Sequence, residues 1–239
     1  MHIPVKISVV GEGHLADATA ECCGKWFDLS LPEDAELVYF CVDTPVGIDD
    51  VPDVAYVMEQ LRGTLRQVPP GIPVLISSQL PVGTCAKIEA EFPEHHLAMQ
   101  PENIRKNHAV EDFRVQPRMI VGTRHPEDHE LIKSVLSHFT PKVIFMSPES
   151  AEMTKHSINA FLALNIVFAN EVADVCKLVG ADIDDVFRGF RSDTRVGDGP
   201  LNPNGPYKGG TLGRDIVVLN DIHPDSLFEA IRDSNTSRL

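Results

Sequence analysis

Positive charge is scarce in this 239-residue chain: Lys and Arg number 21 against 35 Asp and Glu, a formal net charge of −14. So acidic a surface repels phosphate backbones and anionic lipid heads, which argues against nonspecific nucleic-acid binding and against adhesion to anionic membranes. Long apolar runs are missing as well. None approaches the ~20 residues that a membrane-crossing helix needs, so no membrane association is expected. The amino terminus, MHIPVKISVVGEG, has no basic start and no cleavage site and runs straight into a strand, so no signal peptide is visible. The five cysteines (Cys22, Cys23, Cys41, Cys85, Cys176) contain no C-x-x-C spacing and make no framework. They read as reduced thiols in a cytoplasm. The ten histidines, His95-His96 among them, show no metal-ligand spacing, so no metal is expected and they read as surface groups. Internal repeats and low-complexity segments are absent too.

What is present is an ordinary globular composition, 43% hydrophobic, in a chain long enough for one large domain or one domain plus a smaller one. Residues 5–10 (VKISVV) form a short apolar run like a buried parallel strand. The run enters Gly11-Glu12-Gly13-His14-Leu15-Ala16, a G-x-G-x-x-A turn that opens a helical stretch. Strand, glycine turn and helix are the context in which such a motif holds a pyrophosphate at a helix N-terminus. A tight turn without a ligand would read the same way. A dinucleotide fold places an acid at the end of its second strand for the ribose hydroxyls, and here the candidate is Asp28. The stretch after it, LPED, leads at once into a further buried strand at 35–42, so a helix and a strand of an ordinary dinucleotide fold are missing.

Three loops follow at the expected carboxyl ends of strands, where α/β folds bind ligands. The first carries Val42, Thr44 and Pro45, the second Ser78 and Gln79, and the third Gln100-Pro101-Glu102. Helices are predicted at 51–66 and 127–138, and strands at 73–78, 97–99, 118–121 and 143–146. The alternation is α/β with a mainly parallel sheet. A long helix then opens at Ser147-Pro148, with Ser147 as cap and Pro148 at the first helical position. No Gly or Pro interrupts it before Gly180, a left-handed stop, so it makes a rod of roughly 48 Å. Glu152, Lys155 and Asn159 share one face by i,i+3 and i,i+4 spacing. Residues 161–168 are apolar nearly all round and must be buried in a core or against a second chain. Short helices are predicted at 183–190, 213–219 and 224–234. Between the first two lies a stretch rich in Gly, Pro and Asn that reads as a binding loop and includes Tyr207, Gly209 and Gly210.

Taken together, GEGHLA, VDTPVG, SSQLPVGT, QPENIRKNHAVEDFRVQPRMIVG, AEMTKHSINAFLALNIVFANEVADVC with GAD, and DTRVG followed by GPYKGGTLGRD resemble the UDP-glucose/GDP-mannose dehydrogenase family. The resemblance spans the first two of that family's three domains. It implies a nicotinamide cofactor, NAD with NADP left open, and a sugar or nucleotide-sugar substrate. It also implies a homodimer through the long helix. Lys155 and Asn159 match the pair that stabilises the developing oxyanion, and Asp215 matches the aspartate that works with that lysine. Glu102 matches a general acid/base, Arg195 a substrate contact, and Arg214 stands where the family has a lysine near the cofactor. Gln79 replaces the family's threonine. The family's nucleophilic cysteine lies in a GGSCFPKD-like run. Here that run is Gly209-Gly210-Thr211-Leu212-Gly213-Arg214-Asp215, one residue shorter and without the thiol.

The expected fold is therefore α/β: a shortened Rossmann-type parallel sheet domain at 1–147, then an all-helical domain at 148–239 built on one long helix. The expected function is an NAD(P)-dependent oxidation of a sugar alcohol by a single hydride transfer, since a carboxylate-forming oxidation needs a nucleophile such as a thiolate. The alternative is a catalytically degenerate homologue acting as a binding or regulatory dimer.

Overall fold

The computed structural model describes residues 5–45, 52–101, 104–196, 203, 205–208 and 210–239. They fall into two compact units, and the chain passes from one to the other between Lys155 and His156. The crossing lies inside the long helix, eight residues past the domain boundary expected at 147, which coincides with that helix's start.

The first unit is a seven-stranded sheet: β1 (Lys6–Val10), β2 (Asp28–Leu29), β3 (Leu37–Phe40), β4 (Pro73–Ile76), β5 (His96–Met99), β6 (Met119–Thr123) and β7 (Val143–Met146). Its spatial order is β2-β1-β3-β4-β5-β6-β7. Every neighbouring pair is parallel except β5–β6. Helices α1 (His14–Cys23), α2 (Val54–Leu65), α3 (Thr84–Glu91), α4 (Ala109–Arg114) and α5 (His129–Leu136) cover its faces. The strands β3 and β4 are buried along their whole length, as apolar runs without alternation require when both sheet faces are covered. Their side chains divide between two cores: Leu37, Tyr39 and Leu75 pack with α1, α4 and α5, whereas Val38, Phe40, Val74 and Ile76 pack with α2 and α3.

Only a 3-10 turn, Pro32–Asp34, lies between β2 and β3, so the missing helix and strand are indeed missing. β2 is a two-residue, exposed edge. The chain reverses its direction across the sheet at β1, which makes the gap between the carboxyl ends of β1 and β3 the topological switch point.

The long helix α6 spans Pro148–Val179. Ser147 caps it, its hydroxyl accepting from Ser150 N at 3.3 Å. Gly180 ends it in a left-handed turn (φ 73°), with Ala181 N donating to Cys176 O at 3.0 Å. Its first turns pack in the sheet unit, where Gly122 of β6 makes room: a Cβ there would come within 2.6 Å of the Ala151 side chain.

The second unit contains the rest of α6 with α7 (Ile183–Arg191), α8 (Gly210–Ile222) and α9 (Leu227–Thr236). The predicted 213–219 helix thus starts three residues earlier and ends three later. Asp182 caps α7 by accepting from Asp184 N and Asp185 N. The main apolar cluster joins Ala160, Ala163 and Val167 of α6 to Ile216 and Leu219 of α8 and Ile231 of α9. No described helix is long and apolar enough to cross a membrane.

Candidate active site

In the sheet unit, a cleft of about 550 Å³ opens at the switch point, lined by Val10, Gly11, Glu12, Gly13, Val42, Asp43, Pro45, Tyr56 and Gln60. Both glycines are obligatory. Gly11 (φ 145°) passes so close to the end of β3 that a Cβ would sit 2.6 Å from the Cys41 carbonyl carbon. Gly13 (φ 100°) holds a backbone conformation that residues with side chains rarely adopt, with the Asp43 carboxylate lying against it. Gly13 is the cap residue of α1 and no side chain caps that helix, so the positive end of its dipole stays available to an anion. Asp43 lies 3.3 Å from His14 Nδ1 and is 48% exposed, so its carboxylate has room to turn aside. Leu15 is buried and holds α1 on the sheet.

The first two of the three predicted loops meet one another. The Thr44 hydroxyl donates to Gln79 O at 2.7 Å. Ser78 is buried, and its hydroxyl has no hydrogen-bond partner among the described residues. An orphaned buried hydroxyl costs on the order of 1–3 kcal/mol unless something completes it. The loop carrying Gln79 is pinned from α6: the buried Glu152 carboxylate accepts from Gly83 N at 2.6 Å and Cys85 N at 2.9 Å. Gly83 offers α3 no side-chain cap, and Glu152 supplies one from 69 residues away. One member of the predicted polar face is thereby a helix cap. Spacing alone could not separate that role from a catalytic one.

In the helical unit the Asp215 carboxylate is fully buried. It is held by His156, whose Nδ1 lies 3.1 Å from Oδ1, and by the Asn159 amide, which donates to Oδ2. The Arg214 guanidinium approaches to 3.8 Å. A buried carboxylate needs such partners, because desolvating it alone costs several kcal/mol. Lys155 and Asn159 are both buried, so Lys155 is not the solvated charge that an isolated helix lysine usually is. His156 and His95 read as surface groups in the sequence, yet both are buried. The signal that could have found His156 was its place one residue after Lys155, three before Asn159.

Other candidates are placed elsewhere. Asp28 is exposed on the edge strand and does not line the cleft. Arg195 is exposed, its guanidinium forked onto Asp193 at 2.6 Å, apart from the buried set. Tyr207 belongs to a loop that two amides clamp. Asn170 of α6 bonds Gly205 N and O, and Asn235 of α9 bonds Tyr207 N and O. Gly210 begins α8. Glu102 and Gly209 lie outside the described residues. Leu212 packs against the helical core. All five cysteines are free and buried, and burial pushes the Cys22, Cys23 and Cys85 thiols above their usual range.

Comparison with known proteins converges on the family that the motifs suggested. The family described as UDP-glucose/GDP-mannose dehydrogenase matches with its NAD binding domain over residues 26–140 and its central domain over 149–237. The chain belongs to the UDP-glucose/GDP-mannose dehydrogenase family. The glycine turn precedes the matched span of the first domain. UDP-glucose 6-dehydrogenase of Pseudomonas aeruginosa is 34% identical over 212 residues, which is 81% of this chain and 46% of that protein. The chain thus spans about half the length of the curated relatives it matches. Among solved structures, a UDP-D-ManNAc dehydrogenase from Pyrococcus horikoshii superposes with a TM-score of 0.82 at 19% identity, covering 97% of this chain and 68% of that one. A UDP-glucose dehydrogenase from Pyrobaculum islandicum does so with 0.79 at 22%, covering 98% and 67%. These two likenesses establish the fold, a Rossmann-type unit followed by helices.

NAD is the cofactor of the family's first domain. The residues lining the cleft fit it: the glycine cradle that a Cβ would fill and the uncapped start of α1. The fit is weakest at the adenosine end, where the two-residue β2 leaves Asp28 outside the cleft.

Proposed function

We propose that this chain is an NAD-dependent oxidoreductase that converts a sugar or nucleotide-sugar alcohol to an aldehyde or ketone in one hydride transfer. The observation that carries the reading is the buried Asp215–His156–Asn159 set, in which Asp215 of α8 meets His156 and Asn159 of α6, the helix that also carries the buried Lys155; Leu212, in the family's nucleophile position by resemblance, stands in the first turn of α8. When bound, NAD supplies the hydride acceptor. Gly11, Gly13, His14 and Leu15 at the start of α1, with Val42, Thr44, Pro45, Ser78 and Gln79, would hold it; Arg214 is a further candidate contact by resemblance, and Asp28 lies outside the cleft. Lys155 and Asn159 present donors to the alcohol oxygen as negative charge develops on it. Asp215 orients Asn159 and His156 and keeps their donors in place. Glu102 serves as general acid/base. Arg195, Tyr207, Gly209 and Gly210 contact the substrate. The sugar carbon would pass its hydride to the bound cofactor and the hydroxyl its proton to Glu102 as general base, and the product would leave as a free carbonyl compound. No thioester forms, since no thiolate is available.

The assembly is a homodimer through α6. Phe161 is 60% exposed, Phe168 41% and Val175 56% in the single chain, an apolar stretch that a second copy would cover. Five reduced thiols suit a cytoplasmic setting.

The deciding experiment is turnover with a broad panel of sugars and nucleotide sugars, followed by NADH absorbance. NADH formed with stoichiometric aldehyde or ketone supports the reading. NAD binding without NADH from any member of the panel overturns it. That outcome would favour the second reading, a degenerate binding or regulatory dimer, which the two-residue β2, Gln79 and Leu212 already motivate.

A further inference from the structure

The antiparallel β5–β6 pair brings together histidines that lie 29 positions apart in the chain. Its register sets Ala98 opposite Thr123 and Met99 opposite Gly122. Carried two residues outward, that register sets His96 opposite His125. The two imidazoles stack, with centroids 3.9 Å apart and planes inclined by 13°. Glu127 reaches both: its Oε1 lies 3.2 Å from His125 Nδ1 and 3.9 Å from His96 Nε2. One ligand atom from each of His96, His125 and Glu127 lies within 4.8 Å of the other two. The remaining nitrogen of His96, Nδ1, is 2.9 Å from the Asp128 carboxylate.

We propose that His96, His125 and Glu127 form a binding site for a divalent transition-metal ion of the zinc class, with water as a fourth ligand. The donor set, two imidazoles and one carboxylate, is one that such ions take in tetrahedral geometry at ~2.0–2.2 Å per bond. Ligand atoms around a tetrahedral ion at those bond lengths stand roughly 3.3–3.5 Å apart. The present spacings therefore ask for a contraction of no more than about 1.5 Å. The His125–Glu127 spacing already meets that separation; the rest requires the His125 ring to turn out of the stack, so that its in-plane lone pair converges with that of His96, while Glu127, 57% exposed on a turn, follows. Asp128 gives the site its orientation. By accepting from His96 Nδ1–H it fixes the tautomer that leaves the Nε2 lone pair for the ion, the carboxylate–histidine–metal arrangement. The nearby cation does not compete, because Arg124 is already paired with Glu89 and Glu149.

His96 begins β5, whereas the glycine-turn cleft lies at the carboxyl ends of strands that run parallel to β5. The ion would therefore sit at the opposite end of the sheet from the cofactor. There it would staple the one antiparallel junction of the sheet and take no part in hydride chemistry.

The test uses the full chain freed of metal with a chelator and titrated with Co²⁺, whose visible bands report ligand geometry, and with Zn²⁺ by calorimetry. The expected result is one ion per chain with the intense visible bands of a tetrahedral cobalt site. His125→Asn and Glu127→Gln, both at partly or fully exposed positions, should abolish those bands while circular dichroism and NAD affinity stay unchanged. Asp128→Asn should keep the stoichiometry and weaken affinity by ~10–100-fold, an effect that a purely structural hydrogen bond would not produce. No cobalt spectrum, or one that His125→Asn and Glu127→Gln leave intact, would overturn the site.

Discussion

In the sheet unit, β3 and β4 are apolar and buried from end to end, and the polar groups that matter stand on loops beyond their carboxyl ends. The helical unit is built the other way round. Its largest apolar cluster has six buried residues, and a fully buried carboxylate sits among the same helices. It also leaves Phe161, Phe168, Val175 and Leu178 of its longest helix exposed. A large core can keep its chemistry at the rim. A small one has to bury polar groups and satisfy each of them, and it has apolar surface to spare for a partner. The cleft of the first unit rests on backbone clearance, and the buried carboxylate of the second on a hydrogen-bonded network.

The sharpest way to break this contrast is Asp215→Ala. It strips a buried network of its acceptor and leaves His156, Asn159 and Arg214 without it, which should cost ~3–5 kcal/mol and remove turnover. Hydrogen exchange should show α8 losing protection while β3 and β4 keep theirs. Equal loss in both units would mean that the network is not local. A smaller effect is expected from Glu152→Gln, which weakens the cap on α3 by about 1–3 kcal/mol. Here the amides of Gly83 and Cys85 should exchange faster and those of α8 should not change. Unaltered exchange at 83–85 would refute the capping role. Smallest in stability, within roughly 0.5 kcal/mol, is the double change Phe161→Glu with Phe168→Glu, because both side chains are exposed in the single chain. Sedimentation should nevertheless show a dimer turned into a monomer, and an unchanged mass would exclude α6 as the interface.

Much of the sheet unit was legible in advance because its signals are local. Apolar runs give buried strands, Gly11 and Gly13 give a turn that no other residue fits, and Ser147-Pro148 and Gly180 bracket α6. Even the shortened edge followed from the few residues between Asp28 and Leu37. The site was less legible. Equal spacing on one helix face hid two jobs, since Glu152 caps α3 and Asn159 holds Asp215. Asp28 had the right position in the chain, but its two-residue strand stops short of the cleft.

The histidines make the distinction plainest. Their linear spacing forms no ligand pattern, and composition alone makes them surface groups. Strand register then stacks His96 on His125, and packing buries His95 and His156. The sequence by itself determined where the buried strands and the long helix lie and which family the chain resembles, because those depend on residues within a few positions of one another. Only the tertiary structure decided which polar groups share a partner. Hydrogen bonds and metal ligands are chosen by distance in space, and sheet register and helix packing set that distance between residues far apart in the chain.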